Sequence, residues 1–519
     1  MPIPMPLCRI PETRADVALN LSMVTRHGLV TGATGTGKTV TLQALAEALS
    51  RAGVPVLCCD IKGDLSGIAA AGGDNTKIAA AFGRLGLPEP EYAANPTAFW
   101  DVAGAKGHPL RATVSDLGPL LLGRLLGLKE VQADTLRLLF RVADERGLPI
   151  LDLADLRAMV EWATANAASL KAEYGLMSGS SLGAIQRSIL VLDDTGAGRF
   201  FGEPALDIAD LMRVDANGRG VVNVLAADGL MAEPELYATV LLHLLGEVFE
   251  ELPEAGDPDK PKLVLLIDEA HLMFDGAPAA LVQAVERTAR LVRSKGVGLW
   301  LVTQSPLDVP ESVLGQLGNR IHHALRAYTP KDRKAVDSVA ETLRPNPLVD
   351  AAAVITELGV GEALVSFLDR EGRPTPVERV MVVPPASRIG PLDPGERARI
   401  VAASPMGARY GEALDRESAY EILKGKIAGG IGAKADETKS GAAREPTIEE
   451  IEAELRGLPP EPAPREPAGR TLAKREPARR ANGGVGLAED LARAALSAAG
   501  RELGRQAVRS LLGTRRRRR

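Results

Sequence analysis

The run GLVTGATGTGKTVTLQALAEALSRAG, residues 28–53, passes from a short apolar segment through a glycine-rich loop into a helical pattern. Within it, Gly32 to Thr39 satisfies GxxxxGK[ST], directly after an expected strand and directly before an expected helix. Glycines let backbone N–H groups turn inward around phosphate oxygens at a helix N-terminus, so Gly32, Ala33, Thr34, Gly35, Thr36, Gly37, Lys38, Thr39 and Val40 form a candidate phosphate cradle. Lys38 is placed to reach the β and γ phosphates and Thr39 to offer its hydroxyl to magnesium, so ATP and Mg2+ are the expected cofactors. In a chain with 53 glycines the competing reading is a plain tight turn, and the strand-loop-helix context decides against it.

Outward from this loop, further short apolar runs are bounded by Gly, Pro or Asp. They are VPVLCCD (54–60), GVVNVLAA (220–227), KLVLLIDEA (262–270), VGLWLVTQ (297–304) and EALVSFLD (362–369), the pattern of strands buried on both faces. Helical patterns separate most of them, so the fold class is α/β with a mainly parallel sheet covered on both sides. One long interval, about Ser115 to Met212, reads as helical throughout and is expected to be an insertion after the second strand. The expected division is a first core part at 1–114, an α-helical insertion at 115–215 and a second core part at 216–390. A helical extension with a Pro/Ala/Glu-rich linker follows at 391–484, then a flexible basic tail at 485–519, with one amphipathic helix and five terminal arginines.

Two of the apolar runs end in polar groups suited to the same chemistry. KLVLLIDEA ends in Asp268 and Glu269; a carboxylate at a strand's carboxyl edge beside a phosphate loop holds magnesium, and the next can polarise water. Asp268 is read as the metal-side residue and Glu269 as the general base, against the plainer alternative of an acidic pair capping a helix. VGLWLVTQ places Gln304 at the end of another buried strand, where a neutral amide can contact the γ phosphate or position water. Alone, such a glutamine is a turn residue; the three motifs in this order are far more specific.

Charge divides the chain. Lys and Arg number 62 against 67 Asp and Glu, yet from Arg465 onward 15 basic residues face 5 acidic ones, leaving an acidic body and a basic tail. The tail helix admits two readings: phosphate neutralisation on a nucleic acid, or docking of Leu487, Leu491, Ala495, Ala498, Leu503 and Ala507 on the body or an adjacent subunit. With aromatics at 3%, base stacking is not indicated. Cys8, Cys58 and Cys59 make neither a disulfide framework nor a zinc site, and no apolar run reaches the roughly 20 residues of a membrane span. A cytoplasmic protein without a membrane partner is expected.

The segments RHGLVTGATGTGKTVTLQALAEALSRAGVPVLCCDIKGDLSG, LVLLIDEAHLMF, RSKGVGLWLVTQSP and NRIHHALRAYTPKDRKAV resemble the FtsK/HerA group of P-loop ATPases, most closely a bacterial HerA-like helicase family, over residues 20–385. The resemblance implies a RecA-like core, a homo-hexameric ring, ATP between subunits and DNA in the central channel. It assigns Lys38 and Thr39 to phosphates and magnesium, Asp268 and Glu269 to metal and water, and Gln304 to sensing. Arg26 matches a HerA arginine acting across the subunit interface, and Arg293 a second arginine near the nucleotide; Arg320 and Arg326 are further candidates. For each arginine the plainer reading is a surface salt bridge. HerA proteins also carry an N-terminal β-barrel that docks nucleases. Here 27 residues precede the first expected strand, too few for a barrel, so a nuclease partner is not carried over.

Three residues beside these motifs have two readings each. Asp60, Lys62 and Asp64 either couple nucleotide state to a pore loop or form a capped turn. His271 is read as a packing or supporting residue. Two other functions compete with the ring motor: a nucleotide-gated scaffold, and a two-lobed DEAH helicase, for which too little sequence follows Gln304 to build a second lobe. GTPase switching is disfavoured because no NKxD is present.

Overall fold

The computed structural model describes residues 4–73, 75–175, 178–277 and 279–425. The linker and basic tail expected beyond residue 425 lie outside the described residues. Twelve strands stand in chain order as β1 (Pro4–Arg9), β2 (Asp16–Asn20), β3 (Gly28–Thr31), β4 (Val56–Asp60), β5 (Thr97–Asp101), β6 (His108–Pro109), β7 (Val222–Ala226), β8 (Leu263–Ile267), β9 (Val297–Thr303), β10 (Asn319–His322), β11 (Glu362–Ser366) and β12 (Glu378–Val382). They form one sheet in the order β2-β1-β12-β11-β10-β3-β9-β8-β4-β7-β5-β6. Every pair from β10 through β3 to β6 is parallel, and the other wing, β10 to β2, is antiparallel.

Strands β3, β4, β7, β8 and β9 are buried at every position, which is why their sequences are nearly continuous apolar runs. The helix Lys38–Arg51 covers one face, setting Leu42, Leu45 and Leu49 among Val30, Trp300, Val302 and Ile321. The arrangement is a RecA-like P-loop core.

The structure departs from the sequence reading at the sheet's periphery. β1 and β2 precede the strand expected to be first, and β5 and β6 join the sheet before the helical interval begins. That interval, between β6 and β7, contains the helices Val114–Leu125, Glu130–Arg146, Leu153–Ala165, Ala167–Tyr174 and Gly179–Asp194. Its ends are chemically marked: Thr113 accepts from Asp116 N, Asp152 and Asp155 cap reciprocally, and Gly147 closes a helix in the left-handed region. Among the described residues no helix is long and apolar enough to cross a membrane.

One buried histidine pins the strand that leads into the glycine-rich loop. His27 lies 2.6 Å through Nε2 from Ala289 O and accepts at Nδ1 from Leu299 N at 3.0 Å. Because a carbonyl can only accept, the proton belongs on Nε2, and both ring nitrogens are satisfied in the neutral form. Burial pushes its pKa down to about 4. The unfolded chain therefore takes up the proton first: this contribution to stability is complete above about pH 6.5 and is lost as pH falls towards 4. His27→Ala should lower stability at pH 7.5, and its deficit relative to the wild type should shrink by about 2 kcal/mol at pH 5. Urea unfolding of both proteins at the two pH values measures this; an unchanged deficit would contradict it.

Candidate functional site

The glycine-rich loop leaves β3 and is braced from two sides. Ala33 N donates to Ala324 O at 2.8 Å, and Gly361 N donates to Thr36 O at 3.0 Å. Two glycines are required by this packing: a Cβ at Gly32 would lie 2.6 Å from His323 Cβ, and one at Gly37, where φ is 116°, would lie 3.1 Å from Gly361 N. Gly37 is the N-cap of the helix Lys38–Arg51 and supplies no side chain to its first amides. Those N–H groups and the helix dipole are thus left for an anion. Lys38 Nζ folds back to donate to Gly32 O, and to Ala33 O at 3.1 Å.

His323 supports the same loop. Its Nδ1 lies 2.8 Å from Glu362 O and its Nε2 2.8 Å from the Thr41 hydroxyl, so Nδ1 donates and Nε2 accepts. Burial holds its pKa near about 4, in the neutral form this bridge needs. Its neighbour His322 meets Thr31 Oγ1 at 2.7 Å through Nδ1. The pair links β10 to the phosphate-loop strand and its helix.

The acids stand at the end of β8. Tyr237 OH donates to Asp268 O at 2.9 Å, and Asp268 Oδ1 accepts from Glu269 N at 2.9 Å. Glu269 itself is in the left-handed region (φ 47°, ψ 47°), which costs a non-glycine residue roughly 1 kcal/mol and aims its carboxylate across the strand ends. Glu269 Oε1 lies 2.6 Å from Lys62 Nζ, and Oε2 is 3.3 Å from His271 Nδ1. Contact with His271, and with Lys62 beyond it, draws the Glu269 carboxyl down to about 2 against the opposing effect of burial. Burial raises Asp268 to about 6. Burial, and then the charge of Lys62, lowers the Lys38 amine, while Glu269 and Asp268 act in the opposite sense.

Register brings these groups to one edge. β9 lies between β3 and β8, pairing Thr31 with Thr303 and Ile267 with Leu301. The loop after β3, Gln304 after β9 and the acids after β8 therefore sit on three adjacent parallel strands, about 10 Å across. Gln304 is exposed and shares a cleft of about 460 Å3 with Ala33, His271, Ser305, Asp308 and Arg326. Its backbone is set by Asp308, which accepts from Thr303 Oγ1 and Ser305 N, both at 3.0 Å.

Arg326 lines the Gln304 cleft, but the other candidate arginines are elsewhere. Arg26 precedes β3 and Arg293 precedes β9, so both lie at the amino edge of the sheet, opposite the phosphate loop. They line a second cleft, of about 410 Å3, with His27, Arg290 and Arg320. Arg293 pairs with Asp257 at 3.1 Å and Arg290 with Glu286 at 2.9 Å; Arg320 donates to Leu314 O at 2.8 Å and is pushed down to about 10 by burial. Burial and the nearby Arg293 charge also lower Arg26. Within one chain, neither Arg26 nor Arg293 reaches the phosphate loop.

The donor set suits magnesium bound through a nucleotide. Mg2+ takes one or two carboxylates with phosphate oxygens and water, and Asp268 with the Thr39 hydroxyl offers that set. Among the described residues no cluster of three or more His, Cys, Asp or Glu could hold a metal alone. The Lys62 ammonium, 3.8 Å from Asp268 Oδ2, already stands as a cation between the acids. The sequence reading did not identify His323, and it gave Lys62 no contact with the acid pair. The doubled histidine after a strand was its one visible signal.

The chain is similar to the DNA double-strand break repair helicase HerA of Saccharolobus solfataricus, at 27% identity over 165 residues, 31% of each protein. A probable helicase of Methanocaldococcus jannaschii is 33% identical over 135 residues, 25% of this chain and 24% of that protein. The matched segments thus span less than a third of these curated relatives. Among solved structures, the plasmid coupling protein TrwB in complex with ADP and Mg2+ has a TM-score of 0.49 at 16% identity, over 73% of this chain and 89% of that one. The family model described as Helicase HerA-like C-terminal matches residues 7–519, and the chain belongs to that family.

Proposed function

We propose that this protein hydrolyses ATP with magnesium as a HerA- and FtsK-like motor, assembled as a homo-hexameric ring acting on DNA. The observation that carries the reading is the division of the sheet into two edges. The phosphate loop, the acid pair and Gln304 converge on one, while Arg26 and Arg293 stand on the other. Arginines so placed can serve a neighbour's nucleotide, and a head-to-tail interface of this kind yields a ring where its rotation closes.

The chain's own groups supply the steps. Lys38 exchanges its loop carbonyls for phosphate oxygens, and the free amides at the start of its helix bind the same group. Bound magnesium would neutralise charge on the β and γ phosphates, held by Asp268 and Thr39. Glu269, ionised throughout the neutral range, accepts the proton of the attacking water, and Gln304 orients that water or contacts the γ phosphate. Arg26 and Arg293 of an adjacent copy would stabilise charge on the transferring phosphoryl group, which makes turnover depend on assembly.

Three outcomes are expected. Glu269→Gln should reduce turnover by about 10²- to 10⁴-fold while ATP binding persists, read by steady-state hydrolysis beside nucleotide-binding titration. Arg26→Ala and Glu269→Gln should each be inactive alone, yet an equal mixture should regain up to about a quarter of the wild-type rate, because some interfaces combine an intact glutamate with an intact arginine. A mixture that stays inactive would place Arg26 outside a trans role. Duplex DNA should raise the hydrolysis rate at low salt and do so less at high salt. Indifference to DNA at every salt concentration would favour the nucleotide-gated scaffold.

A further inference from the structure

Lys62 stands in the turn that follows β4, in the stretch DIKGD. That turn is held without it: Asp60 Oδ1 accepts from Gly63 N at 2.8 Å and Asp60 Oδ2 from Leu65 N at 3.0 Å. β4 lies beside β8 in parallel register, with Cys59 opposite Ile267, so the turn after one strand faces the acids after the other. The Lys62 side chain crosses this gap to lie 2.6 Å from Glu269 Oε1 and 3.8 Å from Asp268 Oδ2.

The placement is not one that local folding demands. The Lys62 side chain is 34% exposed and has water within reach, whereas the Asp268 and Glu269 side chains are only 5% and 9% exposed. Two carboxylates that close together and that dry need a cation, since their repulsion is poorly screened. Lys38 does not supply it directly, because its ammonium is turned onto the carbonyls of its own loop. Lys62 is the ammonium that touches the pair. It holds Oε1 of Glu269, while the other oxygen faces His271 at 3.3 Å, and a carboxylate oxygen engaged by an ammonium is poorly disposed to take a proton from water.

We propose that Lys62 is a built-in counter-ion held on Glu269 beside the divalent cation's place on Asp268, so that its ammonium and Mg2+ compete for the negative charge of the acid pair. This rests on the nucleotide-site reading above. Lys62 is thereby a positioning residue: while it holds Oε1, Glu269 is kept from acting as a base, and it is released only when metal and nucleotide are taken up together. Hydrolysis is gated by metal occupancy rather than by nucleotide alone.

The test needs no turnover. With the full chain, the binding of a fluorescent ADP analogue at fixed concentration is followed by anisotropy as Mg2+ is titrated, for the wild type, Lys62→Met and Lys62→Arg. Lys62→Met should reach half-saturation at about tenfold lower Mg2+, as expected for removing one competing charge near the acids, and Lys62→Arg should stay near the wild type. In EDTA, Lys62→Met should bind the analogue more weakly than the wild type, since the acids are then uncompensated. Mg2+ together with ADP should raise the unfolding temperature of Lys62→Met more than that of the wild type. Should Lys62→Met fail to fold, Lys62→Gln carries the same measurements. Equal or higher Mg2+ midpoints in the neutral variants overturn the competition while leaving the nucleotide site standing. A wild type that shows no magnesium-dependent ADP binding overturns both.

Discussion

The constraint on which the rest of the molecule depends is the parallel alignment of β3, β9 and β8. Parallel strands deliver their following loops to the same edge, and no other pairing would bring residues 32–39, 304 and 268–269 together from such separate stretches of chain. The alignment is enforced by burial. All three strands are covered on both faces, so slipping the register by a residue would exchange packed side chains everywhere along them. His27 adds a polar lock at the opposite end: its ring joins the carbonyl of Ala289 to the amide of Leu299, tying the start of β3 to β9 and to the helix that precedes it. The chemistry at the carboxyl edge is therefore positioned from the amino edge as well as by the strands between.

Electrostatics at the carboxyl edge works by unequal treatment of two neighbouring acids. Asp268 is the more deeply buried and keeps a raised pKa, while Glu269 meets His271 and Lys62 and is held ionised. Adjacent carboxylates of the same edge are thus separated in character by their partners: the more buried one takes a proton more readily, and the one beside Lys62 and His271 stays ionised. The strained backbone of Glu269 belongs to the same design. A residue continuing β8 in extended geometry would point its side chain to one face of the sheet, whereas the left-handed turn sends it across to Lys62 and His271.

How far this was legible in the sequence follows from what each segment has to satisfy. LVLLI and VGLWLVT must be apolar because both faces are covered, and their polar endings stand out against that background. NRIH, by contrast, forms the largely buried β10 from mostly polar residues, because Asn319 donates to Met23 O and His27 O and accepts from Leu368 N. Those partners come from distant parts of the chain, so no local pattern announces the strand. PMPLCR and ERVMV lie on the antiparallel wing, where prolines and half-exposed positions blur the alternation. The contact of Lys62 with Glu269 was hidden for another reason: a lysine in an Asp-Gly turn is ordinarily a solvated tip, and only the adjacency of β4 and β8 turns it inward.

The positions of Arg26 and Arg293 relative to their strands carry a consequence for assembly. Each precedes a parallel strand whose far end opens onto the edge that carries the glycine-rich loop: Arg26 with β3 and Lys38, Arg293 with β9 and Gln304. A four- to seven-residue strand at about 3.3 Å per residue separates the ends by roughly 13–23 Å, beyond the reach of an arginine side chain. One polypeptide therefore cannot close its own arginine onto its own phosphate loop without dismantling the sheet. The cleft at the amino edge concentrates positive charge from Arg26, Arg290, Arg293 and Arg320, only part of it compensated by Asp257 and Glu286. An excess of guanidinium groups on a built, partly buried surface is costly unless an anion completes it. A polyphosphate presented by the carboxyl edge of another copy has the chemistry to do so.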